Sequence, residues 1–186
     1  MGGIMSLILQ GSTSGSVTLQ EPAIAGSTVL TLPAVSGTVL TDTSPKVGNV
    51  LQVIQSPVYK TQATNSTTTY ADTGLSASIT PTSASSKILV IVSQSVYKSA
   101  GNSGNAVDIK LFRGATDLGQ LVYVQGYTGT AVVLYSIATF QYLDSPATTS
   151  ATTYKTQFAN FTAASLVSVQ PDNNGPSTIT LMEIAA

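Results

Sequence analysis

The chain has 186 residues, of which 42% are hydrophobic and only 8% are charged, and its formal net charge is −1, which favours one sizeable core. Its basic residues stand singly and its longest aliphatic run, residues 88–92, is far too short to span a bilayer, so the sequence predicts neither nucleic-acid binding nor membrane insertion. Cysteine and histidine are absent, which removes disulfide bonds, the commonest general base and the commonest metal ligand.

Glycines recur every eleven residues in the first part of the chain, at Gly15, Gly26, Gly37 and Gly48. Each unit alternates polar and apolar residues over a short run and contains or precedes a proline, as a short strand followed by a turn would. Such a unit cannot bury its apolar face alone. We therefore predict that residues 1–47 form an extended arm that becomes ordered only in an oligomer. Four apolar side chains are its expected docking contacts: Leu19, Leu30, Leu32 and Val39.

Residues 48–186 read as a series of strands separated by polar turn clusters. The expected strands are 49–55, 67–72, 77–81, 87–97, 106–113, 120–127, 131–143, 152–160, 165–169 and 178–185. The run from Val107 to Leu111 alternates cleanly, which places Val107, Ile109 and Leu111 inward. Roughly eight to ten strands at this spacing predict an all-β fold, a two-sheet antiparallel β-sandwich of the jelly-roll type.

Two features of this series do not follow a simple alternation. Residues 88–92 are apolar on both faces, so their strand lies either at the centre of the sandwich or against a neighbouring subunit. Near the end of the chain, Met182 and Glu183 interrupt the alternation that Ile179 and Leu181 begin. The sequence leaves the meaning of both features open.

Acidic residues offer little support for catalysis. Asp108 and Asp117 are the one local pair that a hairpin could bring together, and a glycosidase needs two carboxylates about 5 to 10 Å apart. Asp117 stands in the segment GATDLG, however, where Asp usually caps a turn. Residues 172–175 supply oxygen ligands and a glycine but not the spacing of an EF-hand, so we interpret them as a surface loop. Without histidine no Ser-His-Asp triad is possible, and we expect no enzyme activity, no cofactor and no bound metal.

Tyrosine dominates the aromatic residues, with eight tyrosines against four phenylalanines and no tryptophan. Tyr123 and Tyr127 lie near glycines, which predicts exposed contacts to a ligand or a partner. Tyr135, Tyr142 and Tyr154 fall within expected strands, which favours a packing role for all three.

The segment 11–41, with its phrases SGSVTL, LTLP and GTVLT, resembles the N-terminal repeat of tailed-bacteriophage fibre and virion-surface proteins. Residues 48–81, followed by SSKILVIVS, are similar to the β-sandwich region that comes after this repeat in such proteins. The resemblance covers roughly half of the chain. It implies a homotrimer in the virion, with an N-terminal arm that docks and a sandwich that faces outward.

The short arm favours one branch of this resemblance. Four eleven-residue units extend at most about 150 Å, which suits a capsid decoration, or cement, protein bound to the major capsid protein on the head exterior. The alternative is a tail fibre or tailspike-type adhesin that contacts tail proteins and recognises a host surface glycan. No signal-peptide pattern is visible, so synthesis in the host cytoplasm is expected.

Overall fold

The computed structural model describes residues 6–10, 13–20 and 46–186. The chain divides into two compact units, Met1–Val39 and Leu40–Ala186. In the first unit, Ser6–Gln10 (β1) and Ser16–Gln20 (β2) form an antiparallel pair in which Leu7 lies opposite Leu19. Strand β2 begins directly after Gly15, where the repeat predicts a strand. Leu30, Leu32 and Val39 lie outside the described residues, and the docking role of all four predicted residues, Leu19 included, stays a prediction.

In the described part of the second unit, residues 46–186, there are ten strands and a single 3-10 turn at Pro171–Asn173. The strands are Val50–Gln55 (β3), Ala63–Asn65 (β4), Ala71–Ile79 (β5), Lys87–Lys98 (β6), Val107–Arg113 (β7), Thr116–Gln125 (β8), Leu134–Asp144 (β9), Thr152–Asn160 (β10), Val167–Val169 (β11) and Thr178–Ile184 (β12). Among the described residues, no helix is long and apolar enough to cross a membrane.

The strands form two antiparallel sheets. One sheet has the order β5-β10-β7-β8. In the other, β9 pairs with the whole length of β6, while β12 and β11 pair with successive parts of its second edge and β3 and β4 lie outside them. The eight long strands thus pair first with last and inward from there, as β3–β12, β5–β10, β6–β9 and β7–β8. This is the jelly-roll arrangement, and the two-sheet sandwich predicted from the sequence is confirmed.

Two of the expected strand boundaries are wrong. The sequence predicts separate strands at 67–72 and 77–81, but β5 runs without interruption from Ala71 to Ile79. The pairing of β5 with β10 shifts between Asp72 and Ser76, around Gly74, which has a φ of +80° and where a Cβ would overlap the Tyr59 hydroxyl, so the strand continues through a bulge. The segment 114–119 is likewise not a long turn, because β8 already begins at Thr116.

The inner faces of the two sheets form the core. Val107, Ile109 and Leu111 are fully buried there, as the alternation predicts. The core has two clusters, one around Val90 and Tyr154 and the other around Ile109 and Phe158. Burial of such side chains from both sheets supplies the main free energy that holds a sandwich together.

A partly buried ion pair joins the sheets at one edge, with the Arg113 side chain 27% exposed and that of Asp144 7% exposed. The Arg113 Nη1 atom, at the end of β7, donates to both carboxylate oxygens of Asp144, at the end of β9, over 2.9 and 2.7 Å. The Tyr154 hydroxyl donates to the same carboxylate over 2.6 Å. Tyr154 is fully buried, and its burial, followed by the hydrogen bond to Asp144, raises the pKa of its hydroxyl far above the usual value.

Gln94, on the inner face of β6, gives a stability prediction. It is fully buried, and within the described residues its amide nitrogen and oxygen have no hydrogen-bond partner. An unpaired buried amide is costly, so Gln94→Met is expected to raise the free energy of unfolding by about 1 kcal/mol. Chemical denaturation measures this change.

Gln170 is the matched control for this substitution. It is equally buried and its Oε1 likewise has no partner within the described residues, but its Nε2 donates to the Ser177 hydroxyl over 3.0 Å. Gln170→Met is therefore expected to lower stability. A loss of stability in Gln94→Met as well would contradict the prediction and indicate that water pairs with the Gln94 amide.

Candidate functional site

The outer faces of the two sheets differ in charge. The outward side chains of the four-stranded sheet include Asp72, Asp108, Lys110, Asp117 and Lys155. Lys110 and Asp117 pair over 2.7 Å, and Lys155 and Asp72 over 2.9 Å. On the outer face of β3, β12, β6 and β9, by contrast, Lys87 is the one charged side chain. The six-stranded sheet therefore presents the surface on which an uncharged partner would lose least solvation.

An apolar row crosses this face. The strand registers place Leu143 opposite Leu89, Leu89 opposite Met182, and Met182 opposite Val53. The end members are the more exposed, with Val53 at 54% and Leu143 at 52%. We call these four residues the apolar row. Of the outward apolar positions of residues 88–92, Leu89 belongs to the row and Ile91 lies beside it, with no covering layer within the described residues.

Strand β12 keeps a strict alternation, although the type of side chain is reversed near its end. Ile179, Leu181 and Glu183 are buried, while Met182 and Ile184 point outward. The interruption seen in the sequence is therefore not a break in the alternation of buried and outward positions, although the pairing with β3 shifts by one residue between Glu183 and Ile184. The apolar Met182 points outward and the acidic Glu183 is buried, so here the chemical type of the side chain does not decide which face it occupies.

Hydrogen bonds explain the burial of Glu183. Its carboxylate accepts from Gln52 Nε2 on β3 over 2.6 Å and from the backbone N–H and hydroxyl of Thr82 over 2.7 and 2.8 Å. Burial raises the pKa of Glu183, whereas its hydrogen bonds, including those from Gln52 and Thr82, lower the pKa. Together the hydrogen bonds outweigh burial, so the pKa lies below its ordinary value. Thr82 lies in the segment that connects β5 in one sheet to β6 in the other. Its hydrogen bonds to Glu183 on β12 therefore stabilise the contact between the two sheets behind the apolar row.

A groove of about 270 Å³ occupies the other end of the same face. Ser95 on β6 forms its floor, and Tyr135 and Ile137 on β9 form one wall. Pro171 and Gly175 form the opposite wall. The small side chain of Ser95 leaves this space open between two larger walls.

Tyr135 links the two walls of the groove. Its ring is 56% exposed and lies 4.9 Å from that of Tyr97, centroid to centroid, at a tilt of 56°. Its hydroxyl donates to Asp172 Oδ2 across 3.2 Å, and this hydrogen bond raises the pKa of Tyr135. An aromatic face, a hydroxyl and a carboxylate therefore meet at one end of the groove.

The wall formed by residues 170–175 has an unusual backbone. Gln170, Asp172 and Asn173 have φ values of 48°, 59° and 55°, in the left-handed region that non-glycine residues rarely adopt. Such conformations persist only where surrounding contacts enforce them. Here the Gln170 N–H donates to the Ser95 carbonyl over 3.0 Å, and the Gln62 N–H donates to Asn173 Oδ1 over 2.9 Å.

The predicted contact residues Tyr123 and Tyr127 lie on and just after β8. They are exposed at 65% and 54%, and Tyr123 meets Phe161 edge-on at 5.5 Å. Their role in binding stays a prediction. Tyr154 is a core residue and Tyr142 packs against the core, as expected. The packing role predicted for Tyr135 is wrong, because its ring points outward.

The structure does not bring Asp108 and Asp117 together as a catalytic pair. Asp117 lies opposite Phe112, which is four residues along β7 from Asp108, or about 13 Å. Asp117 accepts from the Gly119 N–H over 2.8 Å, as a turn residue would, and its bond to Lys110 lowers its pKa. Asp108 accepts from the Val124 N–H over 2.7 Å, while burial raises its pKa. The described part of the chain holds no cluster of three acidic ligands for a metal, and this includes the loop at Asp172.

These features define the class of molecule: a jelly-roll sandwich with one charged outer face, one nearly uncharged outer face that carries an apolar row, and a groove. The sequence matches no family profile and no curated protein. Similar solved structures come from infectious bursal disease virus. A VP2 subviral particle has a TM-score of 0.39 and 15% identity over 73% of this chain and 37% of that chain. The structure of the Gx strain has a TM-score of 0.38 and 15% identity over 98% of this chain and 46% of that chain. The structure of derived T=1 particles has a TM-score of 0.39 and 13% identity over 96% of this chain and 44% of that chain. This chain spans less than half the length of each of these proteins.

Proposed function

We propose that this chain is a virion structural protein, a homotrimer that decorates and reinforces a capsid exterior by contact with the major capsid protein. The observation that carries this proposal is the apolar row on an otherwise complete sandwich, and we assign this row to the contact between copies of the chain in the trimer. The row lies on strands whose other face already forms the core, so its exposure is not a failure to fold. Contiguous apolar patches of this kind mark protein–protein contacts.

The chemistry of this face indicates what kind of contact it makes. Burying apolar surface contributes roughly 25 cal/mol per Å² before the costs of association. The outer strands of this face contribute Lys87 and no other charge, so association should depend little on salt. A stable interface needs about 800 Å² from each partner, so the row would form the centre of a contact that extends beyond it.

The fold and the N-terminal repeat both favour a virion structural protein. Jelly rolls are frequent in viral capsid and lectin domains, although a fold by itself does not determine function. The resemblance of residues 11–41 to phage virion-surface proteins adds the homotrimer and the docking arm to the proposal.

The location in the particle is tested by gold-labelled antibody on purified particles, with the copy number measured by mass spectrometry. High copy number over the whole head supports the decoration role. Particles stripped of the protein should then lose resistance to heat. Unchanged heat resistance of stripped particles would contradict a cementing role.

The apolar row gives a prediction about assembly. Leu143→Glu places a charge on the exposed end of the row, so we expect the trimer to dissociate into folded monomers. Sedimentation velocity measures the oligomeric state, and circular dichroism verifies the fold. Thr153→Glu, an exposed strand position on the charged sheet, is the matched control and should remain trimeric. Trimers that survive Leu143→Glu would exclude the row from the interface.

A second candidate function is a tail adhesin that recognises host surface carbohydrate. The exposed rings of Tyr123 and Tyr127 favour it, because aromatic faces stack on sugars. A few copies confined to the tail, together with glycan binding that Tyr127→Ala abolishes, would establish this role in place of the decoration role.

A further inference from the structure

We infer that the groove between Tyr135 and the wall of residues 170–175 is a binding site for a neutral saccharide. This site differs from Tyr123 and Tyr127, the contact residues predicted from the sequence, and it does not depend on the structural role proposed above. It lies on the six-stranded sheet at the opposite end of β6 and β9 from the apolar row. One face of the sandwich thus carries two separate sites.

The chemistry of the walls selects the ligand class. Tyr135, Ile137 and Pro171 offer aromatic and aliphatic surface, which suits the C–H face of a sugar ring. Asp172, held at the rim by the Tyr135 hydroxyl, offers carboxylate oxygens that accept from sugar hydroxyls. None of the residues that line the groove is cationic, so an anionic ligand would gain nothing there. A neutral sugar ring can place its C–H face on the apolar side chains and donate its hydroxyl groups to the Asp172 carboxylate.

The size of the groove limits the ligand. Sites for drug-sized ligands occupy roughly 300–1,000 Å³, and a groove of about 270 Å³ lies just below this range. One sugar ring fits such a space, and because the groove is open, further rings of an oligosaccharide would continue outside it. We therefore expect recognition of a single terminal or internal ring and modest affinity.

The loop wall is built before the ligand arrives. Its left-handed residues are fixed by hydrogen bonds to β6 and to the segment before β4, and Gly175 lies so close to Pro171 and Ser95 that a Cβ would overlap both. Rigid walls lose little conformational entropy on binding. The strained conformations at Gln170 and Asp172 thus hold Pro171 and the carboxylate opposite Tyr135.

The test is a glycan array of neutral oligosaccharides containing glucose, galactose and N-acetylglucosamine, probed with the intact protein. We expect binding to at least one neutral glycan, and a loss of about tenfold or more in Tyr135→Ala. Tyr135→Phe retains the ring and should keep most of the affinity. Since tryptophan is absent, tyrosine fluorescence reports the titration directly.

Matched variants separate this site from the other proposals. Val58→Ala removes an apolar side chain of similar exposure, 57%, that does not line the groove, and should bind normally. Sedimentation of every variant distinguishes loss of saccharide from loss of assembly, so failure of either proposal is visible by itself. The inference is overturned if no neutral glycan binds, if Tyr135→Ala binds as the unmodified protein does, or if Tyr123→Ala alone abolishes binding.

Discussion

Replacing Asp144 with alanine is expected to lower the free energy of unfolding by about 3–5 kcal/mol, because it leaves the Arg113 guanidinium without its partner at a largely buried site. The substitution also removes the acceptor of the Tyr154 hydroxyl in the core. Since Asp144 ends β9 and its partners end β7 and begin β10, the edge where the two sheets meet should loosen first. Urea denaturation followed by circular dichroism gives the value.

Tyr154→Phe is the control that divides this network. It retains the ring and removes one hydrogen bond to a carboxylate, so we expect a loss of about 1.5–3 kcal/mol. The two variants also differ in pH dependence. The pKa of Tyr154 is raised in the folded state, so its contribution to stability is complete below the unfolded value near 10 and is lost as pH rises further. Tyr154→Phe should abolish this alkaline loss. Equal destabilisation by both variants would show that Arg113 contributes little.

Glu183→Gln is expected to lower the free energy of unfolding by about 3 kcal/mol. Gln52 Nε2 and the Thr82 N–H donate to different carboxylate oxygens, so the amide introduced at this position keeps an acceptor for one of them and turns its NH₂ group toward the other. The charged form is favoured in the folded state, because its pKa lies below the ordinary 4.5. Its contribution is therefore present above about pH 4.5 and is lost as pH falls through the folded pKa. Thermal unfolding across this range measures it.

Asp72→Asn is the matched control for Glu183. The pKa of Asp72 is also lowered, chiefly by its hydrogen bond to Lys155, but this pair is on the surface. Exposed pairs contribute about 0–1 kcal/mol, so Asp72→Asn should change stability and its acid dependence only slightly. Similar acid profiles for Glu183→Gln and the unmodified protein would contradict the assigned role of Glu183.

The sequence predicts a strand well where only one of its faces is apolar. At β7, Val107, Ile109 and Leu111 alternate with charged residues, so both the strand and its buried face follow from the pattern. At β9, Tyr135 and Ile137 occupy one face while Phe140 and Tyr142 occupy the other, so a period of two gives no preference between them. The error at Tyr135 follows from this ambiguity.

Other features depend on contacts that are distant in the chain. The order of strands requires β3 to meet β12, and the groove requires β9 to meet the loop at Pro171. The buried side of Glu183 depends on Gln52 and Thr82, which lie more than a hundred residues away. No local pattern encodes such pairings, so the sequence predicts the sandwich but not its apolar row or its groove.

The two outer faces of this sandwich differ in how strongly they are hydrated, because one carries ion pairs and the other is nearly uncharged. At an air–water interface such a sandwich should adsorb with the sheet of β3, β12, β6 and β9 toward air and its ion-paired sheet toward water. Vitrified films of isolated molecules should therefore show a strongly preferred orientation, which detergent at the interface would relieve. Once the apolar row is buried in an assembly, the same films should show views from all directions.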